Sequence, residues 1–286
     1  MLEFCKCRLV MKGDTDMDKA MILEEYDEEY FNYFYTQMID KLKKFIEDAK
    51  NRPNQVDMNA TVEFLDLTFG AMGAAELYYK HNLTEGRKAF YKATLAREWF
   101  YNEFPQKVYQ ISPENVSSYA YDSLYNAILC GNMERARYMA GLFGSICLDG
   151  IIEHQANVLL GYGLKYTILD EKLYAMEYIQ KIEMSSNRRG MKQYIEGHAR
   201  AFRGLIERNV EEFNRGLEFM LKHHIARLRK GMVPGRDEFF AYDSVALAML
   251  AKDRGIAITV KHDLLPMEYL ENTNINYAEL QLFALD

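Results

Sequence analysis

The sequence predicts an all-α protein built as a repeat-like bundle of stacked antiparallel helical hairpins, with one minor strand near residues 256–260. Three observations carry this expectation. Apolar residues recur at spacings of three and four along most of the 286 residues. Three short joins share an Asn followed closely by an acidic residue: His81-Asn82-Leu83-Thr84-Glu85, Gly131-Asn132-Met133-Glu134 and Arg208-Asn209-Val210-Glu211-Glu212. All five prolines (Pro53, Pro105, Pro113, Pro234 and Pro266) fall between periodic segments, where a helix can stop. A fourth join, without Asn, runs Ile168-Leu169-Asp170-Glu171, so the markers 82, 132, 170 and 209 lie 50, 38 and 39 residues apart. Asn tolerates the left-handed backbone that ends a helix, and Thr, Asp and early Glu suit a helix start. Repeated joins at this spacing fit stacked hairpins, a form that offers surface for gripping another protein.

The elements follow in order. Residues 4–10 alternate like a short strand or frayed arm, within an N-terminal arm of residues 1–18. The first helix is expected at about 19–50, where Phe31, Phe34, Met38, Leu42, Phe45 and Ala49 share a face. Further helices are expected at about 58–80, 84–103, 114–130, 133–146, 150–166, 170–183, 187–207, 210–230 and 237–254. Ile256–Val260 is β-branched and bounded by Gly255 and Asp263, which makes it the strand candidate, with residues 4–10 as its partner. A short last helix is expected at about 274–283. No low-complexity tract or flexible linker interrupts the chain, so residues 1–286 read as a single all-helical domain.

Composition narrows the function. Hydrophobic residues make up 49% and charged residues 27%, as in an ordinary globular protein. The formal net charge of −7 argues against nucleic acid and fits a basic partner. Cys5, Cys7, Cys130 and Cys147 form neither a disulfide framework nor a CxxC zinc pattern, so reduced cytoplasmic thiols are expected. No signal-peptide core or membrane span is expected, the longest apolar run being Val245–Ala251.

Several groups are candidate sites. Asp14, Asp16, Asp18 and Glu25 imitate a calcium loop, but Lys19 stands where an EF-hand needs Gly, and helix-start acidity is the better reading. Glu24, Glu25, Tyr26, Asp27, Glu28, Glu29 and Tyr30 form an acidic and aromatic helix start. Favourable placement on the helix dipole accounts for them, while a docking patch for a basic protein is the functional reading. His198, His224, Arg227 and Asp243 are the sharpest constellation. Both histidines lie on apolar stripes, and Asp243 sits in a helix apolar nearly all round. A buried Asp needs a partner, so a structural network is expected, with Asp243 accepting from His224, Arg227 or a backbone N–H of its own helix. Two histidines and a carboxylate could instead form a metal triad or an acid–base pair. No GxxxxGK[ST], GxGxxG or GxSxG pattern is present. Cys147 lacks an activating cation nearby in sequence.

The C-terminal third carries a resemblance. Glu238-Phe-Phe-Ala-Tyr-Asp-Ser-Val-Ala-Leu-Ala-Met-Leu-Ala-Lys-Asp-Arg-Gly255, then Ile256–Val260 and Leu265-Pro-Met-Glu-Tyr-Leu270, resembles the ending of immunity proteins of bacterial polymorphic toxin systems. The immunity protein 49 family is the nearest in pattern, and the Arg208–His224 helix fits it too. The resemblance covers about the last 100 residues, from 187 to 286. Immunity proteins against polymorphic DNase toxins end similarly but carry a Trp-containing segment before the last alanine-rich helix. Here Phe239-Phe240 stands in that place, and the only Trp is Trp99. The resemblance implies binding and neutralising a cognate toxin, with no catalysis; stoichiometric occlusion by the helical surface is the expected mode, and no metal or other cofactor is expected. It assigns no contact residue, and a helical adaptor or peptide sensor is the alternative reading.

Overall fold

The computed structural model describes residues 36–37, 39–41, 43–45, 47–48, 51, 58–103, 121–144, 156–185, 192–230 and 240–282. Its helices are α1 (Met58–Lys80), α2 (Leu83–Glu103), α3 (Asp122–Leu129), α4 (Met133–Leu142), α5 (Ala156–Ile168), α6 (Lys172–Ser185), α7 (Lys192–Glu207), α8 (Val210–Leu228) and α9 (Tyr242–Asp253). A 3₁₀ turn follows at Met267–Leu270. Helical backbone also occurs within 36–51, where Phe45 stacks on Phe64 of α1 at 4.7 Å. The architecture is all-α, as the periodicity predicts.

The joins make the hairpins. α1 packs on α2, α5 on α6, α6 on α7 and α7 on α8. At three joins the left-handed backbone falls one residue before the Asn, on His81 (φ 49), Gly131 (φ 76) and Arg208 (φ 57). The Asn itself caps the next helix: Asn82, Asn132 and Asn209 accept from the N–H groups of Glu85, Arg135 and Glu212 at 3.2, 2.9 and 3.1 Å. This corrects the expectation that Asn takes the left-handed conformation. A side-chain oxygen is worth more against an orphaned helix N–H than against a turn that Gly or a flanking residue can make. At the fourth join Asp170 takes the left-handed backbone directly (φ 58).

Arginines then tie the helix ends together. The Arg254 guanidinium donates to carbonyls of Thr167 and Leu205, in the last turns of α5 and α7. Asp170 bridges Arg208 at 3.1 Å and Arg254 at 3.4 Å. Cations at helix C-termini meet orphaned carbonyls and the negative end of the dipole. The C-terminal ends of α5, α7 and α9 therefore converge.

The strand does not form. Residues 256–260 are non-helical, and among the described residues the only bridge is His262 with Leu265. The reason is Asn214 of α8. Its Oδ1 accepts from Thr259 N–H (2.7 Å) and Val260 N–H (3.2 Å), while its Nδ2 donates to the Ala257 carbonyl (2.9 Å). One side chain thus satisfies backbone groups that a neighbouring strand would otherwise pair. Residues 4–10, the expected partner, lie outside the described residues, as do the candidate calcium loop and residues 24–30.

The last expected helix, 274–283, is also absent through residue 282. Asn276 turns its side chain onto the Ala278 N–H, a local bond that competes with helix. The segment instead docks on α2. Buried Arg87 donates to Thr273 Oγ1 at 2.6 Å and to carbonyls of Tyr269 and Glu271. Tyr277 stacks on Tyr91 at 4.6 Å and donates to the Cys130 carbonyl. Leu282 fills a small apolar cluster with Leu65, Phe69, Ala93 and Ala96.

The closest packing is between α7 and α8. A Cβ on Gly204 would lie 2.4 Å from the Phe213 nitrogen, and one on Gly216 would lie 2.5 Å from the Ala201 nitrogen. A Cβ on Gly197 would lie 2.7 Å from the Met220 Cγ and 2.9 Å from its nitrogen. Gly204→Ala is expected to destabilise by about 1–3 kcal/mol and lower Tm by several degrees, because two backbones must separate. A methyl added at Gly141 of α4 would meet nothing within 4 Å, so Gly141→Ala is the matched control and should hold or raise Tm. Equal melting of the two variants would remove the steric argument. Asn214→Ala is expected to speed amide exchange at Thr259 and Val260 selectively; unchanged protection there would show that other groups hold the segment.

Candidate functional site

One cleft gathers the titratable side chains, at the end of the bundle opposite the arginine cluster. The first turn of α3 contributes Asp122 and Tyr125, with Tyr121 just before it. α7 contributes Tyr194, and α8 contributes Met220, His223, His224 and Arg227. α9 begins in the cleft, with Tyr242 and Asp243. The empty space is about 590 Å³, part of it open to solvent.

Asp243 meets His198. Asp243 Oδ2 lies 3.4 Å from His198 Nε2, with the histidine side chain fully buried and the carboxylate 16% exposed. The other ring nitrogen, Nδ1, lies 2.8 Å from the Tyr194 carbonyl, which only accepts, so Nδ1 carries a proton. Nε2 approaches the carboxylate at ion-pair distance without completing a hydrogen bond to any described residue. Asp243 Oδ1 accepts from Ser244 N–H at 2.7 Å and Ser244 Oγ at 3.2 Å. Burial by itself raises the Asp243 carboxyl. The His198 contact, the charges of His198 and His224, and the Ser244 N–H together outweigh burial and hold it at about 2.

Of the four residues singled out in sequence, His198 and Asp243 are in contact, and His224 and Arg227 line the same cleft. Asp243 does bond a backbone N–H of its own helix, but its ionic partner is His198 rather than His224 or Arg227. The Tyr194 ring packs at a tilt against two histidine rings, 4.3 Å from His198 and 5.2 Å from His223. Burial, then the charge of Arg227, lowers His223 below its ordinary value. Among the described residues, no three His, Cys, Asp or Glu side chains are placed to hold one metal ion, which corrects the metal-triad reading. Cys130 is buried, and burial pushes its thiol up to about 12, so it is protonated and unreactive near neutral pH.

Sequence reasoning missed a second buried network that abuts the first. Asp66 of α1 pairs with Arg97 of α2 at 2.9 Å, with both side chains about 95% buried. Asn126 of α3 donates to the other Asp66 oxygen at 2.6 Å, and Tyr242 of α9 donates to Asn126 Oδ1. The signal existed: Asp66 interrupts Phe64-Leu65…Leu67-Thr68-Phe69 just as Asp243 interrupts its own apolar helix. Arg135 forms a further anchor, donating to Thr94 at 2.8 Å and pairing with Glu98 at 2.6 Å beneath Tyr91 and Tyr138.

The segment that carries most of this cleft also resembles a known family. Residues 151–269 match the family model of immunity protein 49. The match spans about two-fifths of the chain, from α5 through α9 into the 3₁₀ turn, and starts earlier than the resemblance seen from residue 187. It includes His198, His223, His224, Arg227 and Asp243, while Tyr121, Asp122 and Tyr125 lie outside it. Comparison with curated proteins and with solved structures gave no match. Among the described residues, no helix is long and apolar enough to cross a membrane.

The folded Asp243 carboxyl lies below its unfolded value of about 3.9, so its stabilisation is complete above that pH and is lost as pH falls through about 2. Asp243→Asn is therefore expected to cost about 1–3 kcal/mol in urea unfolding at pH 7, with a gap from wild type that stays level to about pH 4 and then narrows. A gap that narrows instead between pH 7 and 5 would assign the effect to the histidines and not to Asp243.

Proposed function

We propose that this protein is an immunity protein that binds the toxin domain of a bacterial polymorphic toxin system and neutralises it by stoichiometric occlusion. The observation that carries the reading is the immunity protein 49 match across α5 to α9. The protein acts by covering the toxin's active site or substrate cleft, in the cytoplasm, without catalysis of its own. A toxin that acts on nucleic acid must be basic to hold phosphate, and the net charge of −7 complements it.

Two surfaces are proposed to make contact. The first is the acidic and aromatic run Glu24, Glu25, Tyr26, Asp27, Glu28, Glu29 and Tyr30, where carboxylates steer encounter and tyrosines anchor. The second lies on α6, inside the matched segment. Leu173 is 85% exposed and Met184 77% exposed, and eleven residues are three helical turns, so both sit on one outward face. They stand ~16 Å apart along the helix and are offered as two separate apolar contacts rather than one continuous patch.

The test is to mix the purified protein with the toxin domain encoded immediately upstream and measure both binding and toxin activity. One-to-one binding with loss of toxin activity is expected. The association rate should fall about tenfold or more from low to high salt, since steering between opposite charges is screened. Leu173→Asp should speed dissociation, while charge reversal at Glu24 and Glu28 should slow association. Absence of binding would sink the pairing with that toxin, and an on-rate indifferent to salt would remove the steering mechanism alone.

A further inference from the structure

The cleft between α3, α7, α8 and α9 leaves polar groups unanswered. His223 Nε2, His224 Nε2 and Tyr125 OH are all buried without a hydrogen-bond partner among the described residues. His223 is 8% exposed and Tyr125 1% exposed, and both line the cleft. Buried polar groups in folded proteins are nearly always paired, so three orphans around one space point to a ligand that pairs them.

The chemistry of that ligand follows from what surrounds it. The orphans can all act as donors: a tyrosine hydroxyl and two imidazole nitrogens. Arg227 adds a permanent positive charge one turn beyond His223 on α8. The first turns of α3 and α9, whose dipoles are positive at that end, adjoin the same space. Two carboxylates oppose an anion, Asp243 and Asp122. Asp243 is already engaged by His198 and Ser244. Asp122, on the α3 side of the cleft, is outnumbered by the cationic and donor groups of His223, His224 and Arg227 on the α8 side. A cation would meet Arg227, and an apolar ligand would leave every orphan unpaired.

We propose that this cleft binds a small oxyanion, a phosphate or carboxylate group, held by Tyr125, His223, His224 and Arg227. Oxyanion binding in this cleft does not require toxin binding. A bound anion favours the imidazolium form of His223, which burial and Arg227 otherwise disfavour. Affinity therefore rises as pH falls through the histidine range, with Asp122 and Asp243 limiting the gain.

The test follows the histidine ring resonances of the full chain by NMR while inorganic phosphate replaces chloride at constant ionic strength, at pH 6 and again at pH 8. Saturable shifts of His223 and His224 are expected, tighter at pH 6, while His81 and His262 stay still. Arg227→Gln should weaken binding about tenfold or more, the scale of a lost charge-assisted hydrogen bond. Tyr125→Phe, which removes one oxygen and no packing atom, should weaken it severalfold and serves if the arginine variant does not fold. A parallel titration with acetate tells phosphate from carboxylate recognition. The proposal is overturned if neither anion gives a saturable shift at tens of millimolar, if His81 moves alongside the cleft histidines, or if both variants bind as wild type does.

Discussion

The contact between α7 and α8 is the constraint on which the rest of this structure depends. Gly197, Ala201 and Gly204 on one helix face Gly216, Phe213 and Met220 on the other, with backbone against backbone. Dispersion falls away steeply with separation, so two helices this close gain dense contact along their whole shared length. The approach also fixes positions elsewhere. α7 carries His198 to Asp243, and α8 carries Asn214 to residues 257–260 and His223, His224 and Arg227 to the cleft. A wider α7–α8 spacing would move each of these groups relative to α9.

Buried polar groups complete what close packing begins. Asp66, Arg97 and Asn126 join α1, α2 and α3, and Tyr242 links them to α9. The next residue, Asp243, reaches α7 through His198. One dipeptide thus sits at the meeting point of two networks that together touch five helices. A buried ion pair adds little net stability compared with apolar packing, because desolvation offsets attraction. Breaking one leaves an uncompensated charge, so the networks penalise alternative helix arrangements more than they deepen the native one.

Much of the fold was legible because its signals are local. Apolar spacing locates the helices, and caps such as Asn82, Asn132 and Asn209 mark their starts within a few residues. What was illegible depends on distant partners. Ile256–Val260 has the composition of a strand, and only the position of Asn214, more than forty residues earlier, explains why it pairs with a side chain instead. Residues 274–283 look short and helical until Arg87 is seen to draw the preceding segment onto α2. In the cleft, His198, His224, Arg227 and Asp243 stood out because polar residues on apolar stripes are conspicuous. Tyr125 did not, since it is an ordinary residue whose unmet hydrogen bond exists only in three dimensions.

The docking of residues 269–273 on Arg87 has a consequence for the order of events during synthesis. The α5–α6, α6–α7 and α7–α8 hairpins join neighbours in sequence and can form as the chain emerges. Arg87 cannot do so: its partners lie 182 to 186 residues downstream. Until they arrive, α2 holds a guanidinium that must stay hydrated, and the surface that it later buries stays open. The amino-terminal hairpin is therefore made early and sealed late, so its maturation is tied to translation reaching the far end of the bundle.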